Sequence, residues 1–431
     1  MAPIDGWFTL EAVYAGKGDA LILHYGTKTR PRWILIDGGH TGVYDGFLRP
    51  RLEEIRLANP GRLDADHRLP LEMVMVSHAD EDHLLGVLDL TANLRSEDPG
   101  QPRAPVSVDQ LWFNGFSDLI AAKPGAGEPD AEEASILDGL ARTASFGGPG
   151  GLPIPASMRG DRDLRAVVAS TAQGRRLLKD AEFLVIDVNK QHDGGLVMRG
   201  GEHGSSVALT GGLKLRILGP DEERIDKLRR RWKKDLEKIL AKEQSTAEAA
   251  AFSDASPFNL SSIMVLAERG GRRMLLTGDG RGDDLRDGLA AEGLLDAAGR
   301  IEVDLFKVPH HGSSRNVKEE TFRDITAAHY LISANGEHDN PDPAMLDMLK
   351  NGRAMARSDE YTLHLTFPEA AFELIPEELA NAKPAVRKQK NALEAVDRWL
   401  KDERPSNMKV VYRDRQRPSL AIEFGERVLP G

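Results

Sequence analysis

The stretch LEMVMVSHADEDHLLGVLDL, residues 71–90, decides the fold class of this chain. Its apolar start is typical of a buried strand, and its last seven residues begin a helix. The polar loop between them supplies four potential metal ligands: His78, Asp80, Asp82 and His83. Two histidines and two aspartates within six residues can bind two metal ions from one rigid turn. A structural alternative is a polar helix start with Asp80 or Asp82 as N-cap, and Glu81 is expected to be exposed.

Similar residues recur further along the chain, each directly after an apolar run that predicts a strand. Asp279 follows RRMLLTG, His310 and His311 follow VDLFKVP, and His338 follows HYLISANGE. One such residue alone would be a weak signal, but their repeated position at strand ends predicts a common site. The candidate metal ligands are therefore His78, Asp80, Asp82, His83, Asp279, His310 and His338.

The order of apolar runs predicts an α/β fold. Three strands open the chain at 7–14, 20–25 and 32–36, separated by turns rich in glycine and proline, and this pattern indicates a β-meander. Further strands alternate with helical patterns, and we predict them at 73–77, 108–113, 182–188, 214–220, 263–268, 273–279, 303–309 and 329–335. So many strands with interspersed helices predict packed sheets in an α/β sandwich.

Two segments interrupt this rhythm and are interpreted as insertions. The first, about 96–160, is rich in proline and glycine and predicts long loops around a short helix. The second, about 220–252, predicts a long helix with one apolar stripe formed by Ile225, Leu228, Trp232, Leu236, Ile239 and Leu240. Its basic run at 229–234 is either a solvated helix face or a contact for a phosphate backbone.

Residues 368–431 form a C-terminal extension that predicts one helix and two strands. The sequence leaves two alternatives open for it. The extension is either a small appended subdomain or a cap that completes the sheet, which leaves a main domain over residues 1–367.

The amino-acid composition excludes several kinds of active site. The 431 residues include no cysteine, so thiolate nucleophiles and cysteine-bound zinc are excluded, and any metal must bind to His, Asp or Glu. The formal net charge of −11 argues against a broad electrostatic binder of nucleic acid. Neither a signal peptide nor a membrane span is predicted, and we expect a cytoplasmic protein that does not engage a membrane.

Taken together, these motifs resemble the metallo-β-lactamase fold superfamily, and specifically the hydrolase domain of ComEC-type competence DNA-uptake proteins. The similarity covers about residues 7–367. Its motifs are GKGD at 16–19, IDGG at 36–39, SHADEDH at 77–83, Asn259 with Ser261 and Ser262, TGD at 277–279, HHGS at 310–313, and His338 with Pro341. The resemblance implies an αββα sandwich with insertions, a two-metal hydrolase site, and a phosphodiester substrate.

The chain also departs from the usual pattern of that superfamily. Asp80 stands where most members have a second histidine, and three carboxylates, Asp80, Asp82 and Asp279, favour Mn²⁺ or Mg²⁺ relative to Zn²⁺. The separate histidine expected before Asp279 has no clear match, because His192 and His203 lie in glycine-rich loops. Asp37 is interpreted as a carboxylate that orients the His78 loop through hydrogen bonds, with direct metal ligation as the alternative.

These observations predict a hydrolase that uses two divalent ions, Mn²⁺ or Zn²⁺, to activate water. Asp279 is expected to bridge the ions, and Asp82, His310 and His311 are the candidate catalytic residues. The expected substrate is nucleic acid or a nucleotide, which makes the enzyme a phosphodiesterase or nuclease. The alternatives are a hydrolase of a small-molecule ester, lactone or β-lactam, and a non-catalytic binding module.

Overall fold

The computed structural model describes residues 6–121, 162–230, 257–372 and 383–425. The strands are β1 (Trp7–Val13), β2 (Leu21–Thr27), β3 (Arg30–Ile36), β4 (Leu69–Met75), β5 (Val106–Val108), β6 (Gln110–Trp112), β7 (Asp187–Val188), β8 (Ser206–Leu209), β9 (Leu213–Gly219), β10 (Met264–Arg269), β11 (Arg272–Leu276), β12 (Ile301–Lys307), β13 (Ile325–Ile332), β14 (Tyr361–Leu365), β15 (Met408–Tyr412) and β16 (Ser419–Glu423). The helices are α1 (Arg49–Ala58), α2 (Glu81–Arg95), α3 (Phe116–Ala121), α4 (Arg162–Phe183), α5 (Gly282–Ala291), α6 (Glu319–Asp324), α7 (Pro343–Ala356) and α8 (Pro384–Asp402). Residues 222–230 are also helical.

The strands form two mixed sheets, so the α/β class predicted from the sequence is confirmed. The first sheet has the order β16-β1-β2-β3-β4-β6-β7, with β5 also paired to β4. The second has the order β15-β14-β13-β12-β11-β10-β9-β8. In both sheets an antiparallel meander leads into parallel strands, which start at the β3–β4 pair and at the β11–β12 pair.

Alternation along β4 explains how the first sheet packs on both faces. Met73 and Met75 belong to a core cluster that also contains Val265 and Leu305 of the second sheet. Val74 points the opposite way, as expected for a period of two, and joins a second cluster with residues of α1 and α2. A third cluster packs the other face of the second sheet against α5, α6, α7 and α8.

This topology brings the candidate site residues to one region. Asp37 follows β3, the 77–83 loop follows β4, and Asp279 follows β11. His310 and His311 follow β12, and His338 follows β13. Each therefore lies past the carboxyl end of a strand, where loops of an open α/β sheet build binding sites.

The strand predicted at 182–188 is wrong over most of its length. Helix α4 continues to Phe183, and only Asp187–Val188 pairs as a strand. Val185 has a left-handed φ of 56° and a 90% exposed side chain, so it forms a turn. The apolar run EFLVI was ambiguous between a helix end and a short strand, and the packing of α4 on α2 favours the helix.

The two predicted insertions are only partly described. Residues 106–112 of the first contribute β5 and β6, which pair with β4, so this part is integrated into the first sheet. Residues 122–161 lie outside the described residues. In the second insertion Ile225 and Leu228 are fully buried, while Trp232, Leu236, Ile239 and Leu240 lie outside the described residues.

The C-terminal extension supplies one strand to each sheet. β15 pairs in parallel with β14, and β16 pairs antiparallel with β1. The extension therefore continues both existing sheets, which corresponds to the second of the two alternatives left open above.

Among the described residues, no helix combines the length and the hydrophobicity needed to cross a membrane.

Candidate metal centre

The loop between β4 and α2 places its polar side chains at the start of a helix. Asp80 occupies the N-cap position of α2, but its side chain makes no capping hydrogen bond. Its carboxylate lies instead 3.4 Å from His78 Nε2. Asp82 and His83 belong to the first turn of α2, and Glu81, which lies between Asp80 and Asp82, is exposed as predicted. The imidazole rings of His78 and His83 are 4.2 Å apart, so this turn directs both histidines to one point.

Asp279 is the centre of the cluster. Its Oδ1 lies 3.2 Å from His83 Nε2 and 3.5 Å from His311 Nε2. Its Oδ2 lies 3.5 Å from His310 Nε2 and 3.9 Å from His78 Nε2. One carboxylate thus faces two pairs of histidines, one pair at each oxygen.

The two aspartates of the 77–83 loop, Asp80 and Asp82, lie beside these histidine pairs. Asp80 lies beside His78, whereas Asp82 lies 3.7 Å from His311 Nε2 and 4.0 Å from His83 Nε2. The two carboxylates of the 77–83 loop therefore divide between the two histidine pairs around Asp279.

His310 and His311 adopt an uncommon backbone conformation. Their φ angles are 48° and 55°, in the left-handed region that residues with a β-carbon seldom occupy. The two consecutive left-handed residues turn both imidazoles toward Asp279, although neighbouring side chains in a regular strand point to opposite faces. His311 is buried, whereas the His310 side chain is 24% exposed and faces the opening.

Each of the four histidines has its Nδ1 engaged by a neighbouring acceptor. His83 Nδ1 donates to Asp37 Oδ2 at 2.8 Å, and His311 Nδ1 donates to the Ser333 carbonyl at 2.9 Å. His310 Nδ1 donates to Asn316 Oδ1 at 2.8 Å. His78 Nδ1 lies 3.0 Å from Ser77 Oγ, which itself donates to Asp37 Oδ2 and so accepts from the histidine. These partners place the Nδ1 proton outward, so a lone pair on every Nε2 faces the cluster.

The inward-facing atoms have no hydrogen-bonding partner within the described chain. This holds for the Nε2 atoms of His78, His83 and His311 and for Oδ1 of Asp279, all of them buried. Buried polar atoms are normally satisfied, so a set of converging unpaired acceptors is suited to binding a cation. Several overlapping triplets of these His and Asp side chains have ligand atoms within 4.8 Å of one another. The residues present therefore fit divalent metal ions.

The buried carboxylates and imidazoles of the cluster shift each other's pKa values. Burial alone would raise the pKa of Asp279, but His311, His310 and His83 hold it well below its ordinary value. Burial would likewise lower the pKa of His83, yet Asp279 and Asp37 hold that pKa well above its ordinary value. The carboxylates thus attract positive charge to this point, and a bound metal ion would displace the histidine protons.

Asp37 acts on the loop as the sequence analysis proposed. Its Oδ1 accepts the Ser77 backbone N–H at 2.7 Å, and its Oδ2 accepts from Ser77 Oγ and His83 Nδ1, both at 2.8 Å. With both oxygens engaged by the loop, Asp37 orients the ligands. Its φ of 58° shows that the backbone adopts a left-handed conformation to place it there.

Sequence reasoning assigned no role to Asp19 and missed Lys307. Both are buried, and their side chains form an ion pair beneath the cluster. Lys307 Nζ also donates to the Gly278 carbonyl at 3.0 Å, next to Asp279. Asp19 Oδ1 lies 3.6 Å from His311 Nδ1. A lysine at the buried end of an apolar strand, three positions before His310, was the available signal for this pair.

Four of the candidate histidines lie outside the metal-competent groups of the described residues: His192, His203, His310 and His338. Of these, His310 still places Nε2 3.5 Å from Asp279 Oδ2. His338 is exposed, although it lies close enough to Asp82 and His311 to interact with their charges. Its ligation stays a prediction. The rings of His192 and His203 are 6.2 Å apart, with His192 packed against Trp112, and neither joins the Asp279 cluster.

Comparison with known proteins adds no assignment to this geometry. No family model matches the chain, and no curated protein matches it.

Proposed function

We propose that the chain is a metal-dependent hydrolase with the αββα fold of the metallo-β-lactamase superfamily. Its proposed substrate is a phosphodiester of nucleic acid or of a nucleotide. The observation that carries the hydrolase proposal is the convergence of four Nε2 lone pairs on the Asp279 carboxylate. The resemblance of the sequence motifs supports the fold family and the phosphodiester substrate.

We assign the proposed ligands to two sets, one at each oxygen of Asp279. On the Oδ2 side of Asp279, His78, Asp80 and His310 would hold one ion. On the Oδ1 side, Asp82, His83 and His311 would hold the other. Asp279 would serve both, which is the bridging role expected from the sequence.

When bound, two divalent ions supply an activated water and offset the charge of a phosphoryl oxygen. The chain contributes the positioning. Asp37 and Ser333 hold the imidazoles of His83 and His311 through Nδ1, which fixes their orientation before substrate arrives. His310 is the most exposed of the four histidines, so it is best placed to contact the leaving group or a substrate oxygen.

An activity panel tests this proposal. Purified protein is stripped with a chelator, reloaded with Mn²⁺, and assayed with bis(p-nitrophenyl) phosphate, single-stranded DNA, RNA, cyclic dinucleotides, a lactone and a β-lactam. We expect hydrolysis of the phosphodiesters. Cleavage of the lactone or β-lactam alone would show that the substrate class is wrong.

Substitutions in the 77–83 loop test whether hydrolysis depends on this site. Asp82→Ala and His83→Ala should each reduce hydrolysis at least about 100-fold, because each removes a metal ligand. Glu81→Ala is the matched control, since Glu81 directly precedes Asp82 in the same loop and is exposed. Metal content, measured by mass spectrometry after dialysis, should fall in parallel in the first two variants. Undiminished activity and metal content in both variants would exclude this site.

A further inference from the structure

The turn between the last two strands crosses from one sheet to the other. Residues 413–418, RDRQRP, connect β15 of the second sheet to β16 of the first. Together with α8 and the loop after β13 this turn lines a cleft of about 810 Å³. Sites for small molecules and for segments of larger ligands typically have volumes of roughly 300–1,000 Å³. The cleft is therefore large enough to bind a ligand.

Three arginine side chains of this turn line the cleft. Arg413 is buried, donates through Nε to the Thr366 carbonyl at 2.7 Å, and lies 4.5 Å above the Tyr14 ring. It anchors the turn. Arg415 and Arg417 are exposed, and among the described residues neither side chain contacts a carboxylate. Glu54, which also lines the cleft, is paired with Arg51 at 2.7 Å. In a chain with a net charge of −11, two exposed arginines two positions apart that form no ion pair among the described residues favour an anionic ligand.

Aromatic rings lie beside these cations. Tyr14 and Phe47 are half-buried and contact each other edge to face, with ring centroids 5.1 Å apart. Phe367 lines the same cleft. Phe367 is buried, so only Tyr14 and Phe47 offer partly exposed rings next to the arginines, the combination that binds a nucleobase and its phosphate.

The cleft begins close to the candidate metal centre. Asn335 lines it and is held there by Gln389, which donates to the Asn335 carbonyl at 2.9 Å. Two residues earlier, the Ser333 carbonyl accepts the Nδ1 proton of His311. Two residues of extended chain span at most about 7 Å, so Asn335 of the cleft lies within about 7 Å of the residue that holds His311.

We infer that this cleft binds single-stranded nucleic acid adjacent to the phosphodiester held at the Asp279 cluster. Arg415 and Arg417 contact backbone phosphates, and Tyr14 stacks on a base. This inference rests on the proposed function. The two arginines belong to the C-terminal extension, outside the stretch that carries the family resemblance.

The test measures binding without hydrolysis. Fluorescence anisotropy follows a labelled ten-nucleotide oligo(dT) strand on full-length, metal-stripped protein in the presence of EDTA. R415A/R417A should bind at least about 10-fold more weakly than the unmodified chain. The slope of log Kd against log salt concentration should fall by about 1.4, because two contacts to a single strand are lost.

The control is a second double variant that also removes two positive charges. Arg30 begins β3 and Arg103 precedes β5, so both lie at the strand ends remote from the metal centre. Both side chains are exposed, and R30A/R103A should bind the strand as the unmodified chain does. Tyr14→Ala should weaken binding about 10-fold with an unchanged salt slope, since stacking releases no counter-ions. Thermal melts of all variants verify that each is folded.

Three results would overturn the inference: unchanged affinity in R415A/R417A, an equal loss in R30A/R103A, or competition by dTMP or inorganic phosphate as strong as that by the unlabelled strand. The last would assign the cleft to a free nucleotide or phosphate. Since the assay needs no metal and no turnover, its outcome is separate from that of bis(p-nitrophenyl) phosphate hydrolysis, which tests the proposed function alone.

Discussion

Asp37 shows how one buried side chain prepares another for metal binding. By accepting the Nδ1 proton of His83, it directs the lone pair of Nε2 toward Asp279. The same carboxylate secures the Ser77 backbone and hydroxyl, so the loop and the ligand are oriented together. Asp37 thus sets the tautomer of His83, although it precedes His83 by 46 positions.

Asp37→Asn should weaken Mn²⁺ binding by about 10–100-fold, because the amide cannot accept from all three donors. Isothermal titration of metal into stripped protein measures this change. Glu72→Gln is the matched control, since Glu72 lies in the middle of β4 and accepts from Tyr25 and Arg32 rather than from the loop. Equal metal affinity in Asp37→Asn and the unmodified chain would show that the hydrogen bonds of Asp37 do not matter for the site.

The identity of the ligands also predicts the preferred metal. Asp80, Asp82 and Asp279 surround the cluster with carboxylate oxygens, which are harder donors than imidazole. Mn²⁺ should therefore restore more activity to stripped protein than Zn²⁺ at equal, buffered free-ion concentrations. An enzyme that works only with Zn²⁺ under these conditions would show that the four histidines dominate the choice.

At the scale of elements, the position of α2 depends on a close backbone contact. A β-carbon at Gly86 would overlap the carbonyl group of Gly38, and one at Gly38 would overlap the backbone of α2 in return. The Gly38 N–H donates to the His83 carbonyl at 2.7 Å, and the Gly86 N–H donates to the Gly39 carbonyl at 2.9 Å. The glycines of the IDGG motif therefore let the first turn of α2 dock on the loop after β3.

Gly86→Ala should destabilise the protein by about 3 kcal/mol, since the added methyl group forces α2 away from that loop. Metal affinity should fall as well, because the first turn of α2 carries Asp82 and His83. Urea unfolding and metal titration measure the two effects. Gly61→Ala is the control, because a β-carbon at Gly61 meets no atom within 4 Å. If both variants unfold at the same urea concentration, the close contact does not limit the packing of α2.

At the scale of the whole molecule, Glu11 links the two ends of the chain. On β1 it accepts from His24 of β2 at 2.8 Å and from Arg51 of α1 at 2.5 Å. Ser419 of β16 donates to the same carboxylate, although 408 positions separate the two residues. Burial would raise the pKa of Glu11, but His24 and Arg51 lower it to about 2.

This shift predicts the response of the fold to acid. Because the pKa of Glu11 is lower in the folded than in the unfolded chain, its contribution is complete above pH 4.5 and is lost as the pH falls toward 2. The contribution at pH 7 is on the order of 3 kcal/mol.

Glu11→Gln should lose most of that stability at pH 7, and the difference from the unmodified chain should shrink below pH 4.5. Urea unfolding at pH 7, 4.5 and 3.5 measures both expectations. Glu360→Gln breaks an exposed pair with Lys409 and should change the free energy of unfolding by less than about 0.5 kcal/mol. A difference between Glu11→Gln and the unmodified chain that stays constant with pH would contradict the account.

The sequence by itself determined the α/β class, most of the strands and the position of the candidate ligands at strand ends. These features are local, because the period of apolar residues and the polar loop after a strand are both encoded within about ten residues. The strand prediction at 182–188 was wrong because it also rested on a local pattern. A short apolar run fits a helix end as well as a strand.

Only the tertiary structure decided which candidates meet. The approach of His83 to Asp279, the Ser333 carbonyl on His311 and the ion pair of Lys307 with Asp19 each join segments from different strands. Those distances depend on how two sheets pack, and side-chain periodicity says nothing about that packing. A backbone carbonyl such as that of Ser333 leaves no sequence signal at all. For the same reason the exposure of His338, and the division of β15 and β16 between the two sheets, became visible only in the folded chain.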